Sequence, residues 1–407
     1  MLHISLQEAN KRILAANKKW RKTKDQFLFI GGYLFTGLFG RFMGNDLKTL
    51  KQPNAIWLVV TSTNNINSIK FLLEALPNSM LVATSLKKKY NGKLISSIPF
   101  YNGVKFLRKF YPIYKMYKKE IGGYAKVVRH KIFFSIGAYE TALQVLKLNK
   151  PKALILANDQ NIRSKALICA AKELSIPTIY LPHGDMNKYS PPLSCDLNLL
   201  YGAYSKDKYL EIGSANGEVE LIGIPKMDNV IGDYNKRNTV NGICICSNII
   251  DDAQETEQLL QNLVVDFPEM DFGFRMHPRD GRTFSIPNKV VLSDPNKEHI
   301  TTFLGKYDML IASTTSTHVE AVTLNLVSLT YNLNHQIDLD DYYDYVKNGL
   351  TVYTKNYEHL KEKINLNIKR KDDVRINAQY YNAAIETDFE GKSSELAVQK
   401  IKSFLNL

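Results

Sequence analysis

The chain has 407 residues and a formal net charge of +13, longer than one hydrophobic core usually covers, so two domains are expected. That charge is uneven: residues 1–152 hold 27 basic and 6 acidic residues, against 26 and 34 in the rest. Four cysteines, at 169, 195, 244 and 246, form no C-x-x-C pair and no Cys/His set at zinc spacing; this excludes a disulfide-stapled or zinc-built chain and leaves reduced core residues of a cytosolic protein.

The chain opens without a signal-peptide pattern. Basic and aromatic letters mix in NKKWRKTK (17–24) and again in KFLRKFYPIYKMYKKEIGGYAKVVRHK (105–131). Such a surface suits nucleic acid, an anionic membrane face or a polyanionic glycan, and the plain alternative is a solvated lysine-rich surface. The run FLFIGGYLFTGLFG (27–40) holds four glycines and falls short of the roughly 20 residues that span a bilayer. It reads as buried core or a membrane-surface loop.

From residue 53 short β-branched runs alternate with helical ones, the mark of parallel α/β layering. Strands are expected at 55–61, 79–84, 153–158, 178–182, 196–202 and 219–224. Between 153–158 and 178–182, RSKALICAAKELSI carries apolar letters at helical spacing, which makes a β-α-β unit. The polar stretch NVIGDYNKRNTVNG (229–242) reads as a boundary, giving domains of 1–235 and 236–407. A fresh series follows in GICICS, MDFGFRMHP, KVVLSD, YDMLIAS and LVSLTY. The last 50 residues read as helical, with terminal helices expected to pack back on the first domain. No internal repeat or low-complexity tract is seen. Two α/β domains facing across a cleft place ligands at the carboxyl ends of their strands.

LILANDQNIR puts Asp159 at a strand end, with Arg163 about one helical turn on. Asp159 is a candidate catalytic carboxylate or a helix N-cap. YLPHGDMNKY ends the next strand with His183 and Gly184, a candidate acid/base beside a residue that lets backbone approach a ligand. LIGIPKMD places Gly223, Pro225 and Lys226 near the hinge. In DFGFRMHPRD, alternation puts Arg275 and His277 on one face, beside Pro278, suited to a base, ribose or phosphate oxygen. KYDMLIASTTSTHVEA sets Ser313, Thr314, Thr315, Ser316 and Thr317 between a strand and a helix. That arrangement suits an anion, while Thr317 and Glu320 also fit a capping box. Asp338-x-Asp340 has the letters of a metal-binding D-x-D but reads as a solvated loop.

In order, HG-x-x-x-K (His183, Gly184, Lys188), G-x-P-K-x-D (Gly223, Pro225, Lys226, Asp228), R-x-H-P (Arg275, His277, Pro278) and the run Asp308, Ile311, Thr314, Thr315, Ser316, Glu320 and Ala321 resemble GT-B glycosyltransferases that use cytidine nucleotides. These are the polysialyltransferase-like and Kdo-transferase-like capsule enzymes and the CDP-glycerol glycerophosphotransferases. The resemblance covers roughly residues 150–330. It implies a fold of two Rossmann-like domains facing across a cleft, with C-terminal helices. It implies transfer of a sialic-acid- or Kdo-type sugar from a CMP-activated donor to a bacterial surface glycan, or alternatively transfer from CDP-glycerol, with no cofactor and no catalytic metal.

Carried over, Arg275, His277, Pro278, the 313–317 run, Glu320, Gly223 and Lys226 would bind the donor, and His183, with Asp159 as its rival, would be the base. Lys188, Arg163, Lys115, Lys118 and Lys119 would meet an anionic or lipid-linked acceptor at the inner face of the cell membrane. Two positions depart from the pattern: Pro182 stands where one branch has tryptophan, and the acidic-acidic-Gly motif of polysialyltransferases has no clear counterpart. A sugar-nucleotide epimerase of the same fold has no reason for a strongly basic first domain. A non-catalytic nucleic-acid or membrane binder leaves the strand-end residues unexplained, and the chain carries no RNA-binding or helix-turn-helix signature, so no nucleic acid is expected as a partner.

Overall fold

The computed structural model describes residues 31, 50, 54–84, 89–98, 107–186, 190–336 and 339–407. The basic segment 17–24, the apolar run 27–40 apart from Gly31, residues 105 and 106, Lys188 and Asp338 lie outside them.

In chain order the first half contains β1 (Ile56–Val60), α1 (Thr63–Ile69), β2 (Ser79–Ala83), a small hairpin of β3 (Lys89–Tyr90) and β4 (Lys93–Leu94), and β5 (Ser96–Ser97). Next come α2 (Leu107–Ile121), α3 (Arg129–Asn149), β6 (Ala153–Leu156), α4 (Ile162–Glu173), β7 (Thr178–Tyr180), β8 (Leu197–Leu200), α5 (Ala203–Ile212) and β9 (Glu218–Leu221). The second half holds β10 (Gly242–Cys246), α6 (Ala253–Asp266), β11 (Asp271–Arg275), β12 (Val290–Ser293), α7 (Ile300–Leu304), β13 (Met309–Ala312), α8 (Thr317–Thr323), β14 (Val327–Tyr331), β15 (Val352–Thr354), α9 (Tyr357–Lys369) and α10 (Ser393–Leu405).

Two parallel sheets result, ordered β5-β2-β1-β6-β7-β8-β9 and β12-β11-β10-β13-β14-β15. Each is a Rossmann-like sheet in which the first strand lies beside the fourth of its sheet, so a crevice opens at the carboxyl ends of β1 and β6 and another at those of β10 and β13. All eleven strands expected from the sequence form; the inner ones read as apolar runs because both faces of a parallel sheet are covered, while the edge strands β9 and β12 keep exposed residues.

Alternation along β1 shows the two faces. Trp57 and Val59 pack with Ala138, Ala142 and Leu146 of α3 and Leu167 and Ala170 of α4. Ile56, Leu58 and Val60 pack with Ile66 and Ile69 of α1 and with Ala397, Ile401 and Leu405 of α10. The C-terminal helix therefore lies on the first sheet, and Asp228 holds it there by accepting the Ser393 and Ser394 amides at 2.9 and 2.7 Å. On the second sheet, Ile243, Ile245, Phe272 and Phe274 meet Leu260 and Leu263 of α6 and Leu360 and Ile364 of α9. Cys195, Cys244 and Cys246 are buried thiols and Cys169 is half-buried, all four unpaired.

Two glycines are required by geometry. Gly223 has φ +79°, and a Cβ there would stand 2.5 Å from the Ala384 Cβ and the Ser393 Oγ. At Gly202 a Cβ would lie 2.5 Å from the Tyr381 carbonyl carbon, because the returning C-terminal segment runs against the start of α5. Among the described residues no helix is long and apolar enough to cross a membrane.

Candidate functional site

The cleft between the two sheets joins residues from both. Lys226, in the turn after β9, donates from Nζ to Glu320 Oε1 on α8. Tyr345 donates to Asp185 Oδ2 at 3.0 Å, and Lys208 Nζ lies 2.8 Å from Asp344 Oδ2. Glu320 thus turns across the cleft and forms no capping box; α8 begins at Thr317, with Ser316 as an N-cap that makes no side-chain cap bond.

His183 sits beside this bridge. Its Nδ1 lies 2.8 Å from the Ala157 carbonyl oxygen, and since a carbonyl only accepts, Nδ1 carries the hydrogen and Nε2 keeps its lone pair. Burial pushes the imidazole below its usual range, the Ala157 bond opposes this, and the Lys226 charge adds to it, so the ring is neutral at pH 7. Tyr201 fixes the loop by donating to the Pro182 carbonyl at 2.7 Å. Asp185 is raised to about 6, chiefly by burial. Lys226 is held protonated: burial opposes its charge, but Glu320, Tyr201 and Asp185 outweigh that. His299, the N-cap of α7, is lowered by burial and stands within electrostatic reach of Glu320, Lys226, Arg275 and Lys70. Lys226 is thus the cation bound to Glu320, with the neutral His299 within electrostatic reach of both.

At the crevice of the second sheet, Asn248, Asp251, Ser313, Thr314, Asn332, Asn334, Tyr342 and Tyr343 help line an open pocket of about 290 Å³, at the small end of ligand pockets. Ser313 donates to Asp251 Oδ1 at 2.5 Å, and Thr314 donates to the Asp340 carbonyl at 3.0 Å. The Thr315 and Thr317 hydroxyls are 3.1 Å apart. His318 braces the loop from below, donating from Nε2 to the Ser313 carbonyl at 2.8 Å and accepting from Ser328 at Nδ1 over 2.6 Å. Burial lowers its pKa to about 4, so it stays neutral.

Other residues singled out in the sequence are placed differently. Arg275 is buried and donates to Ser293 Oγ at 2.5 Å and to the Glu298 carbonyl at 2.8 Å, so it ties β11 to β12 and the loop before α7. His277, before the exposed Pro278, turns back on its own loop, where Nδ1 accepts the Arg279 amide at 3.1 Å. Asp308 lies at the opposite end of β13 and accepts from the Asn241 and Gly242 amides and from Asn235 and Arg237.

Asp159 is buried just past the carboxyl end of β6, the central strand of the first sheet, near Tyr180, and is not a helix cap; the N-cap of α4 is Asn161, which accepts the Ser164 amide at 3.0 Å. Arg163 donates to the Thr84 carbonyl at 2.8 Å. Lys115, Lys118 and Lys119 are exposed on α2. The Asp340 carbonyl accepts the Thr314 hydroxyl and the Tyr342 amide, and among the described residues no group of three or more His, Cys, Asp or Glu side chains stands close enough to hold a metal ion.

Sequence reading missed Asp185, His299, Tyr343 and Tyr345. Asp185 had a signal, being a carboxylate directly after HG, and the run YYDY (342–345) had a weaker one. His299 had none, because its surroundings arise only when α7 and α8 pack together.

No family model and no curated protein matches this chain by sequence. Its fold is similar to solved structures. UDP-GlcNAc 2-epimerase from Neisseria meningitidis bound to UDP-GlcNAc is 12% identical, covering 86% of this chain and 100% of its own, with a TM-score of 0.56. The S. aureus MnaA–UDP co-structure is 14% identical, covering 87% and 97%, with a TM-score of 0.54. The glycosyltransferase SnogD from Streptomyces nogalater is 13% identical, covering 87% and 100%, with a TM-score of 0.51. At such identities the likeness shows the fold, the two-domain GT-B arrangement that the sequence motifs imply.

Proposed function

We propose that the chain is a glycosyltransferase that moves a sialic-acid- or Kdo-type sugar from a CMP-activated donor to an anionic or lipid-linked bacterial surface glycan. The observation that carries this reading is the meeting of His183, its Nε2 lone pair available, with the cationic Lys226 and with Glu320 in one cleft.

In the transfer, a hydroxyl oxygen of the acceptor forms a bond to the donor's anomeric carbon while the bond from that carbon to the phosphate oxygen breaks. The electron pair leaves with CMP, and the hydroxyl proton passes to His183 Nε2. Lys226 neutralises the leaving phosphate in place of a metal ion, and hydroxyls of the 313–317 run donate hydrogen bonds to it. Glu320 takes the ribose, and Gly223 shapes the turn that presents Lys226. Such positive charge acts strongest where charge develops in the transition state.

Neighbours of this fold include enzymes whose structures hold UDP or UDP-GlcNAc, which supports a nucleotide-sugar ligand of some kind. An epimerase acts on that ligand alone. The basic first half, with 27 basic to 6 acidic residues, favours a chain that also holds an anionic acceptor at the cytoplasmic face of the membrane, through α2 and its exposed Lys115, Lys118 and Lys119.

The experiment is CMP release and sugar transfer from CMP-sialic acid and CMP-Kdo, with CDP-glycerol as the comparison donor. His183→Ala should lower turnover by roughly 10² to 10⁴ while CMP binding stays near normal. Full turnover in His183→Ala removes the assigned base, and turnover of CDP-glycerol alone moves the chemistry to polyol phosphate transfer.

A further inference from the structure

Between β14 and β15, residues 339–351 leave the second sheet and reach the first domain. Asp344 Oδ2 lies 2.8 Å from Lys208 Nζ on α5, and Tyr345 donates to Asp185 Oδ2 at 3.0 Å. The hydroxyl of Tyr381, on the segment that returns to the first domain, lies 3.1 and 3.0 Å from the Tyr343 and Asp344 carbonyl oxygens. The same stretch walls the second-domain pocket with Asp340, Tyr342 and Tyr343, so it belongs to both halves of the cleft.

Tyr345 is buried. Its ring stacks on Tyr343 with centroids 5.0 Å apart and meets Tyr381 and His318 edge-on at 5.0 and 6.0 Å. Packing on several sides fixes where the hydroxyl points. His318 is the histidine that donates to the Ser313 carbonyl. A continuous path therefore runs from the hydroxyl run through His318 and Tyr345 to Asp185, two residues past His183.

The His183 loop has further anchors in the Tyr201–Pro182 and His183–Ala157 bonds, but these lie within the first domain and set nothing relative to the second. Among the described residues, Tyr345 is the second-domain side chain that hydrogen-bonds this loop. Without that bond a buried hydroxyl stands unpaired, and the loop loses its tie to the facing domain. Transfer needs the base, the acceptor oxygen and the anomeric carbon within near-attack distance, where a displacement of about 1 Å costs up to about 100-fold in rate.

We propose that Tyr345 is a positioning residue: through Asp185 it holds the His183 loop in register with the 313–317 run, so that one side chain sets the base against the donor cradle. Its part in turnover rests on the glycosyltransferase reading. The mechanical tie between the two loops does not.

The test uses the full chain with histidine carrying ¹³C in its ring, and the variants Tyr345→Phe, Asp185→Ala, Asp185→Asn and the double Tyr345→Phe/Asp185→Ala. NMR follows the His183 ring signal, identified by its absence in His183→Ala, and transfer from the CMP-sugar gives kcat and KM. Melting temperature and CMP binding are measured alongside, and if Tyr345→Phe does not fold, Asp185→Ala breaks the same bond from the other side. The His183 signal should be single in the wild type and broadened or split in Tyr345→Phe, and kcat should fall roughly 10- to 100-fold with KM for the donor within about 3-fold. Asp185→Asn keeps an acceptor for Tyr345 and should recover at least about 10-fold in kcat over Asp185→Ala, and the double variant should be no worse than either single one. An unchanged His183 signal in Tyr345→Phe overturns the tie. Near-normal kcat in Tyr345→Phe beside an Asp185→Asn as poor as Asp185→Ala overturns the positioning role and gives Asp185 a direct part in the chemistry. A disturbed His183 signal in a chain that turns over no CMP-sugar supports the tie and removes the glycosyltransferase reading instead.

Discussion

Lys226 Nζ donates to Glu320 Oε1 across the cleft, and this contact joins the turn after β9 to the helix after β13. Glu320 is nearly buried while Lys226 keeps 30% of its side chain exposed, so the two partners respond differently to removal. Lys226→Met leaves a buried carboxylate without its cation and should cost about 3 kcal/mol, the low end for breaking a buried pair because of that exposure. Lys226→Met combined with Glu320→Leu should recover a large part of the loss, since no charge is stranded. Urea unfolding of the wild type, the single variant and the double variant measures this; a double variant less stable than the single one would show that the pair itself holds the domains together.

Asp159 sets a pH dependence of stability. Burial pushes its carboxyl up to about 6, opposed by Lys165. Because this lies above the value of about 3.9 for an unfolded aspartate, the native state binds more protons than the unfolded chain between the two. The contribution is fully present below about pH 4 and is lost as pH rises through about 6. A shift of that size corresponds to on the order of 2–3 kcal/mol. Asp159→Asn should therefore be more stable than wild type at pH 8 by up to that amount and equal to it near pH 4. Equal destabilisation at both pH values in denaturant titrations would contradict the argument.

Helix α2 predicts a salt-sensitive attachment. Phe110, Ile113, Tyr114, Tyr117 and Ile121 face the small core with Val128, Ile132 and Ile136, leaving Arg108, Tyr111, Lys115, Lys118 and Lys119 outside. Polybasic segments gain roughly 1 kcal/mol per Lys or Arg near an anionic surface. Replacing Lys115, Lys118 and Lys119 by glutamine should weaken sedimentation with anionic liposomes roughly 100-fold, and 0.5 M salt should act in the same direction, the Debye length then being only about 4 Å. Equal pelleting with neutral and anionic vesicles, or none, would assign the basic surface to the glycan.

Strand runs such as Ile56–Val60 and Met309–Ala312 were legible because buried parallel strands are written as short uninterrupted apolar stretches between turn letters. The strand Val352–Thr354 was not, since an edge strand three residues long with Val352 and Tyr353 exposed carries no such stretch. Reading the residues just past each strand found His183, Lys226 and Glu320. It could not find which of them meet: the Lys226–Glu320 and Asp185–Tyr345 contacts depend on how two sheets face one another, which no local pattern encodes. Arg275 shows the converse, a strand-end cation at the right place whose side chain turns sideways to Ser293 and the Glu298 carbonyl.

The central claim is that the cleft holds a cytidine nucleotide, and thermal shift with CMP, CDP, UDP, GDP and ADP at matched concentrations tests it most directly. A ligand that binds only the folded chain stabilises it by about 2.7 kcal/mol at 100 times its Kd. CMP or CDP alone should raise the melting temperature, and Glu320→Gln and Ser316→Ala should reduce that rise without lowering the melting temperature of the free chain by a similar amount. A rise with UDP that equals or exceeds that with CMP, no rise with any of the five, or an unchanged rise in both variants would contradict the account.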